Sequence, residues 1–225
     1  MDRRGCFFRL TASTSRTTST HPTTRVADGE AHAYPRWSPD GARFYFVNRT
    51  ARTGNDFPLI AHDRRTGVDQ ELAHGNFGAF DLSADGRWIA ITAGGVPSGA
   101  ATAIVVVATD GSGTRRLLEA ADGESFHVFS GLPWTPDSRA VIVRKQKPSE
   151  LWLVPIDGGA PRKLDVDVRT WSPGAAGLAT LSPDGKQLAF TSGGIKDEVW
   201  VLQNFLSDDA SGNRSSGLRT PLSMR

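Results

Sequence analysis

Four aspartates recur along the chain at near-equal intervals: Asp40, Asp85, Asp137 and Asp184 are 45, 52 and 47 residues apart. Carboxylates can hold a metal, exchange a proton or cap a turn, and their spacing selects among these roles. Equivalent positions in repeated units are set apart by the size of a unit, so these four cannot converge on one metal or substrate. Each lies in a short turn instead: "WSPDG", "LSADG", "WTPDS" and "LSPDG". Proline at the second position fixes φ, Asp hydrogen-bonds its own backbone, and Gly accepts a positive φ. Asp40, Gly41, Asp85, Gly86, Asp137, Asp184 and Gly185 are therefore expected to be structural turn residues. Ala84 and Ser138 show that neither Pro nor Gly is obligatory in every copy.

Other reactive residue types give no constellation. Asp165 and Asp167 form a D-x-D pair with no further ligand nearby in sequence, the pattern of two edge charges. His21, His32, His62, His74 and His127 show neither H-x-H nor H-E-x-x-H spacing. Cys6 is the single cysteine, so no intrachain disulfide can form. "DGSG" and "DGGA" lack the Lys and Ser/Thr of a phosphate loop, and no G-x-S-x-G elbow occurs. The sequence assigns no catalytic residue, no metal ligand and no cofactor.

The elements that position these residues follow from the period. Each turn is followed by a strand pattern, "RFYFVN", "RWIAITA", "RAVIVRK" and "KQLAFTS", and then by a second one, "FPLIAHD", "AIVVVATD", "ELWLVPID" and "EVWVLQNF". Three of the latter end in Asp before a glycine-bearing turn, after which "TRRLL" and "PRKLD" read as charged outer strands. Each repeat has room for four short strands. Repeats of this length with β-branched strands and Gly or Asp turns are the pattern of β-propeller blades. The expected fold is all-β, with four four-stranded blades at about 23–73, 74–120, 121–167 and 168–205. Residues 1–22 and the polar tail 206–225 fall outside them. Thr23 to Val26 is read as an outer strand left over from an incomplete blade. The repeated tryptophans are expected to fill the packing between blades. A formal charge of +2 gives no broad field for nucleic acid, and the most apolar run, "AATAIVVVA", is too short to span a bilayer. No signal-peptide pattern opens the chain.

The stretches "YPRWSPDGARFYFV", "LSADGRWIAIT", "LPWTPDSRAVIV" and "LSPDGKQLAFTS" resemble the WD-like repeats of the TolB-type β-propeller family. The resemblance covers roughly residues 25–205. Such propellers usually close with six or more blades, so four repeats imply a partial propeller. In bacterial sensor proteins they follow a kinase or a winged-helix domain, and related ones precede the hydrolase domain of prolyl-oligopeptidase-like peptidases. The implied role is a non-catalytic binding or sensing module for a protein or peptide, the C-terminal part of a larger regulator. The alternative is a piece of the propeller of such a serine peptidase. Self-association is expected if the propeller is incomplete. The family allows an extracytoplasmic location, but the sequence fixes no compartment. Loops between blades converge at a channel mouth, which makes Glu30, His32, His74, Glu124, His127 and Arg169 the expected ligand contacts.

Overall fold

The computed structural model describes residues 32–49, 54–94, 100–127, 131–147, 149–166, 179–193 and 197–203. Glu30, Arg169, the segment 23–26, the N-terminal 1–22 and the tail 206–225 lie outside them. Every described element is a β-strand. The first sheet runs β1 (His32–Trp37), β2 (Arg43–Asn48), β3 (Phe57–Asp63) and β4 (Asp69–Gly75) in spatial order. The second contains β5 (Phe77–Leu82), β6 (Trp88–Ala93), β8 (Ala103–Ala108) and β9 (Thr114–Glu119). The third is built of β10 (Ser125–His127), β11 (Ala140–Lys147), β12 (Glu150–Pro155) and β13 (Arg162–Leu164). The last holds β14 (Ala179–Leu181), β15 (Gln187–Gly193) and β16 (Asp197–Gln203). All pairings are antiparallel, as short hairpin connections require.

Two details depart from four uniform four-stranded sheets. "AATAIVVVA" is not one strand: β7 (Ala100–Ala101) leaves the second sheet and pairs with β10 as a fifth strand of the third. Thr102 keeps its backbone bonds to Ala93 and Ala120 of the second sheet at the point where β7 diverges, and the positive φ of Gly94 turns the backbone where a Cβ would strike the Thr102 hydroxyl. The fourth sheet has three strands among the described residues.

The middle strands are apolar on both faces because each feeds two seams. In β8, Val105 and Val107 pack with Tyr45, Val47 and Leu59 of the first sheet, while Ile104 and Val106 pack with Phe126, Trp134 and Val143 of the third. In β11, Val141 and Val143 face the second sheet and Ile142 faces Leu188 and Phe190 of the fourth. A period of two thus sends alternate residues into opposite seams, so a sandwiched strand reads as a continuous apolar run. On the other face of the first sheet, Phe44, Phe46 and Ile60 form a separate buried cluster. Outer strands β9 and β13 place arginine and lysine outward, which discourages edge pairing.

The turn between the first two strands of each sheet is the same object four times. Ser38, Ser83, Thr135 and Ser182 each donate a hydroxyl to the aspartate two residues on, at 2.6 Å. The same hydroxyls accept the amide five residues on, at 2.9–3.0 Å. The aspartates also accept the amides of Ala42, Arg87, Arg139 and Lys186 at 3.0–3.1 Å. All four carboxyls are held below the ordinary aspartate value. The hydroxyl bond is the main cause at Asp40, Asp137 and Asp184; at Asp85 burial opposes ionisation and the bonds from Ser83 and the Arg87 amide outweigh it.

Successive turns also stack. A Cβ on Gly86 would come within 2.7 Å of Pro39, and one on Gly185 within 3.0 Å of Pro136. Between the second and third sheets both motif residues are replaced at once: Ala84 stands for proline and Ser138 for glycine. Ser138 keeps the positive φ, 60°, is 6% exposed, and its Oγ accepts the Asp85 amide at 3.0 Å. The two departures compensate each other, since removing the proline ring leaves room for the serine side chain.

Candidate binding surfaces

Antiparallel order puts the first and third hairpin turns of every sheet at one end and the remaining loops at the other. The turn end is knitted by backbone: the amides of Arg64, Thr109 and Ile156 donate to the carbonyls of Ala42, Arg87 and Arg139 at 2.9–3.0 Å. The loop end carries the described members of the expected ligand set. His32 opens β1, paired with Asn48. His74 closes β4, half exposed, with Nε2 2.5 Å from Glu71 and Nδ1 3.8 Å from Asp56.

Glu124 lies in the connection between β9 and β10 and receives Lys145 Nζ at 2.7 and 2.8 Å on its two oxygens. That bond, followed by the Ala121 amide, lowers the Glu124 carboxyl below the ordinary glutamate value. Lys145 is itself nearly buried and sits 4.7 Å from the Trp152 ring centroid. Trp152 Nε1 donates to Glu150 at 2.9 Å, and Lys163 reaches the other Glu150 oxygen at 2.7 Å. A chain of alternating charge therefore runs along the loop end of the third sheet.

His127 is buried in β10, opposite Ala100, rather than presented at an open mouth. Burial, and then the charge of Arg144, pushes its pKa down, so it is neutral at physiological pH. Arg144 is buried too, which lowers its pKa to about 10. Among the described residues no hydrogen bond or ion pair joins His74 to Glu124 or to His127, and no three His, Cys, Asp or Glu side chains group as metal ligands. Glu71, Asp56, Lys145 and Arg144 were not singled out by sequence reasoning. The signal for two of them was present: β11 reads "AVIVRKQK", an apolar strand turning charged where it reaches the loop end.

The tryptophans divide. Trp134 is 7% exposed and its Nε1 donates to the Asp81 carbonyl of the second sheet at 3.1 Å, so it fills a seam as expected. Trp37 holds the corresponding position in the first sheet and is 59% exposed, which corrects the expectation of core filling there. Asp81 also meets Arg36 of β1 at 3.0 Å, and burial raises its pKa despite that partner.

No protein-family model and no curated protein matches the sequence. Solved structures do. TolB from Acinetobacter baumannii is similar at a TM-score of 0.57 and 19% identity, over 80% of this chain and 43% of that one. A puromycin-hydrolyzing peptidase from Mycobacterium tuberculosis is similar at 0.58 and 18%, over 87% of this chain and 31% of that one. Dihydro-heme d1 dehydrogenase NirN in complex with DHE is similar at 0.51 and 25%, over 85% and 37%. The chain thus spans less than half the length of each. The repeated turn, the three packed seams and these likenesses show the fold: an all-β protein of β-propeller blades that resemble those of TolB.

Proposed function

We propose that the chain is a non-catalytic binding module whose protein or peptide partner docks at the loop end, on the surface around His74 and Glu124 with Glu30, His32 and Arg169. The observation that supports this reading is a division of labour between the two ends. At the turn end the four aspartates and their Ser or Thr partners are consumed by local backbone. At the loop end, His74 meets only the side chains of Glu71 and Asp56, and Glu124 holds the Lys145 ammonium in addition to the Ala121 amide. The Lys145 pair and the His74 contacts can be exchanged for a partner's groups while the backbone bond of the Ala121–Glu124 turn is kept. His127 takes a supporting part beneath this surface.

Peptides selected from a displayed random library against the purified chain test the proposal. His74→Ala and Glu124→Gln are expected to weaken the selected peptides about tenfold together. The melting temperature stays unchanged in His74→Ala and falls in Glu124→Gln, which leaves the nearly buried Lys145 without its charged partner. Unchanged affinity in both variants refutes the loop end as the docking surface. The competing reading, part of a peptidase propeller, rests on the likeness to the puromycin-hydrolyzing peptidase. The hydroxyls of Ser38, Ser83, Thr135 and Ser182 are engaged by aspartates within turns, not poised as nucleophiles. Turnover of proline-containing peptides that copurifies with the chain through successive columns would favour the peptidase reading instead.

A further inference from the structure

The turn end of the first sheet carries a surface that the turns do not use. Trp37 and Val68, each 59% exposed, are the large exposed hydrophobic side chains among the described residues, and both belong to this sheet. The positions corresponding to Trp37 are Leu82, Trp134 and Leu181, and each packs against the preceding sheet. The closest counterpart, Trp134, shows what the position does when occupied: the ring covers an apolar seam and Nε1 donates to a backbone carbonyl, at 3.1 Å. Trp37 offers the same ring and the same donor, but outward.

Charge beside it is just as particular to this sheet. The Arg64 guanidinium lies 5.2 Å from the Trp37 ring centroid. Gly41, Ala42, Asp63, Arg64 and Arg65 line a cleft next to the pair. Where this hairpin has Arg64 and Arg65 after its aspartate, the second and third sheets have Gly111–Ser112 and Gly158–Gly159. The one carboxylate in the cleft wall, Asp63, accepts the amides of Arg65 and Thr66 and keeps its charge, against the two arginines. The space above Gly41 is open. Beside Asp63, what faces solvent is an aromatic plate, an N–H donor and two guanidinium groups, that of Arg64 also donating to the Gly41 carbonyl at 3.3 Å.

We propose that this cleft binds an extended acidic segment of a partner protein. A carboxylate of the segment pairs with Arg64 and Arg65, a backbone carbonyl accepts from Trp37 Nε1, and an apolar side chain lies on the Trp37 ring. Planar guanidinium groups suit carboxylates, and an extended backbone supplies the carbonyl that Asp81 supplies to Trp134. The surface is at the opposite end from His74 and Glu124, so it stands or falls independently of the loop-end reading.

The test is fluorescence anisotropy of a fluorescein-labelled peptide of alternating glutamate and valine, with a lysine and valine peptide as counterpart, titrated with the full chain. The acidic peptide is expected to bind and the basic one not. Arg64→Ala with Arg65→Ala should weaken binding about tenfold or more, and Trp37→Phe about threefold, since the ring is kept and the donor lost. His74→Ala should leave this affinity unchanged. All four side chains are exposed, so thermal melts of the variants should overlay that of the parent. Equal binding of both peptides, no saturable binding of the acidic one, or acidic binding indifferent to the arginines would overturn the proposal.

Discussion

Restoring the missing proline at position 84 should damage the protein unless serine 138 is changed with it. In the two neighbouring seams a proline ring lies 2.7 Å and 3.0 Å from where a Cβ would stand on the following glycine. At the middle seam that following residue is Ser138, a buried side chain with a real Cβ. Ala84→Pro alone therefore drives a ring into an occupied site, an overpacking cost of about 1–3 kcal/mol. Ser138→Gly alone relieves a left-handed conformation worth about 1 kcal/mol. It also deletes the acceptor for the Asp85 amide, about 0.5–1.5 kcal/mol, and adds glycine's unfolded-state freedom, so the net change is small and unfavourable. The double substitution recreates the Pro39–Gly86 arrangement, and proline's restricted unfolded state contributes about 0.4–1 kcal/mol in its favour. The double variant should thus be more stable than Ala84→Pro, with a coupling of about 1–3 kcal/mol. In a chain of this size that is roughly 2–4 °C of melting temperature per kcal/mol. Urea denaturation of the four proteins measures it. Effects that add to within about 0.5 kcal/mol would refute the compensation.

Trp134→Ala should cost about 3–5 kcal/mol, and Trp134→Phe much less, roughly the 1 kcal/mol of the lost bond to Asp81 plus a little packing; equal losses in urea midpoints would count against the seam geometry. The turn aspartates have folded pKa values below their unfolded ones, so their stabilisation is complete above the ordinary value of 3.8 and is lost as pH falls through the lowered values. Melting temperature should fall steeply below about pH 4. His127 is depressed relative to its unfolded value of 6.5, so its contribution is present above that pH and declines below it; His127→Gln should flatten the melting curve between pH 5 and about 7, and an unchanged slope would contradict its buried neutral state.

What could be read from sequence was local. Asp40, Gly41 and their counterparts recur in one short string, and the strands around them are rich in aromatic and β-branched residues, so the fold class was legible. The Ser or Thr two residues before each aspartate belongs to the same string; it escaped notice because hydroxyls are common in turns, yet it forms the shortest bond in each. The Ala84 and Ser138 exchange looked like tolerance because its logic joins residues 54 positions apart in different sheets. Lys145 and Glu124 meet only after two strands fold beside each other. Trp37 and Trp134 sit in near-identical strings, yet one ring is exposed and the other buried, because burial depends on contacts between sheets that the string does not contain. The loop-end set depended on convergence between blades, which no single repeat encodes.

The central claim is that recognition lies at the loop end. Hydrogen–deuterium exchange of the chain with a library-selected peptide bound tests it most directly. The account predicts slowed exchange in the segments around His74 and Glu124, with the amides of the Asp85, Asp137 and Asp184 turns unaffected. Protection confined to the turn end, with the His74 and Glu124 segments unchanged, would contradict it.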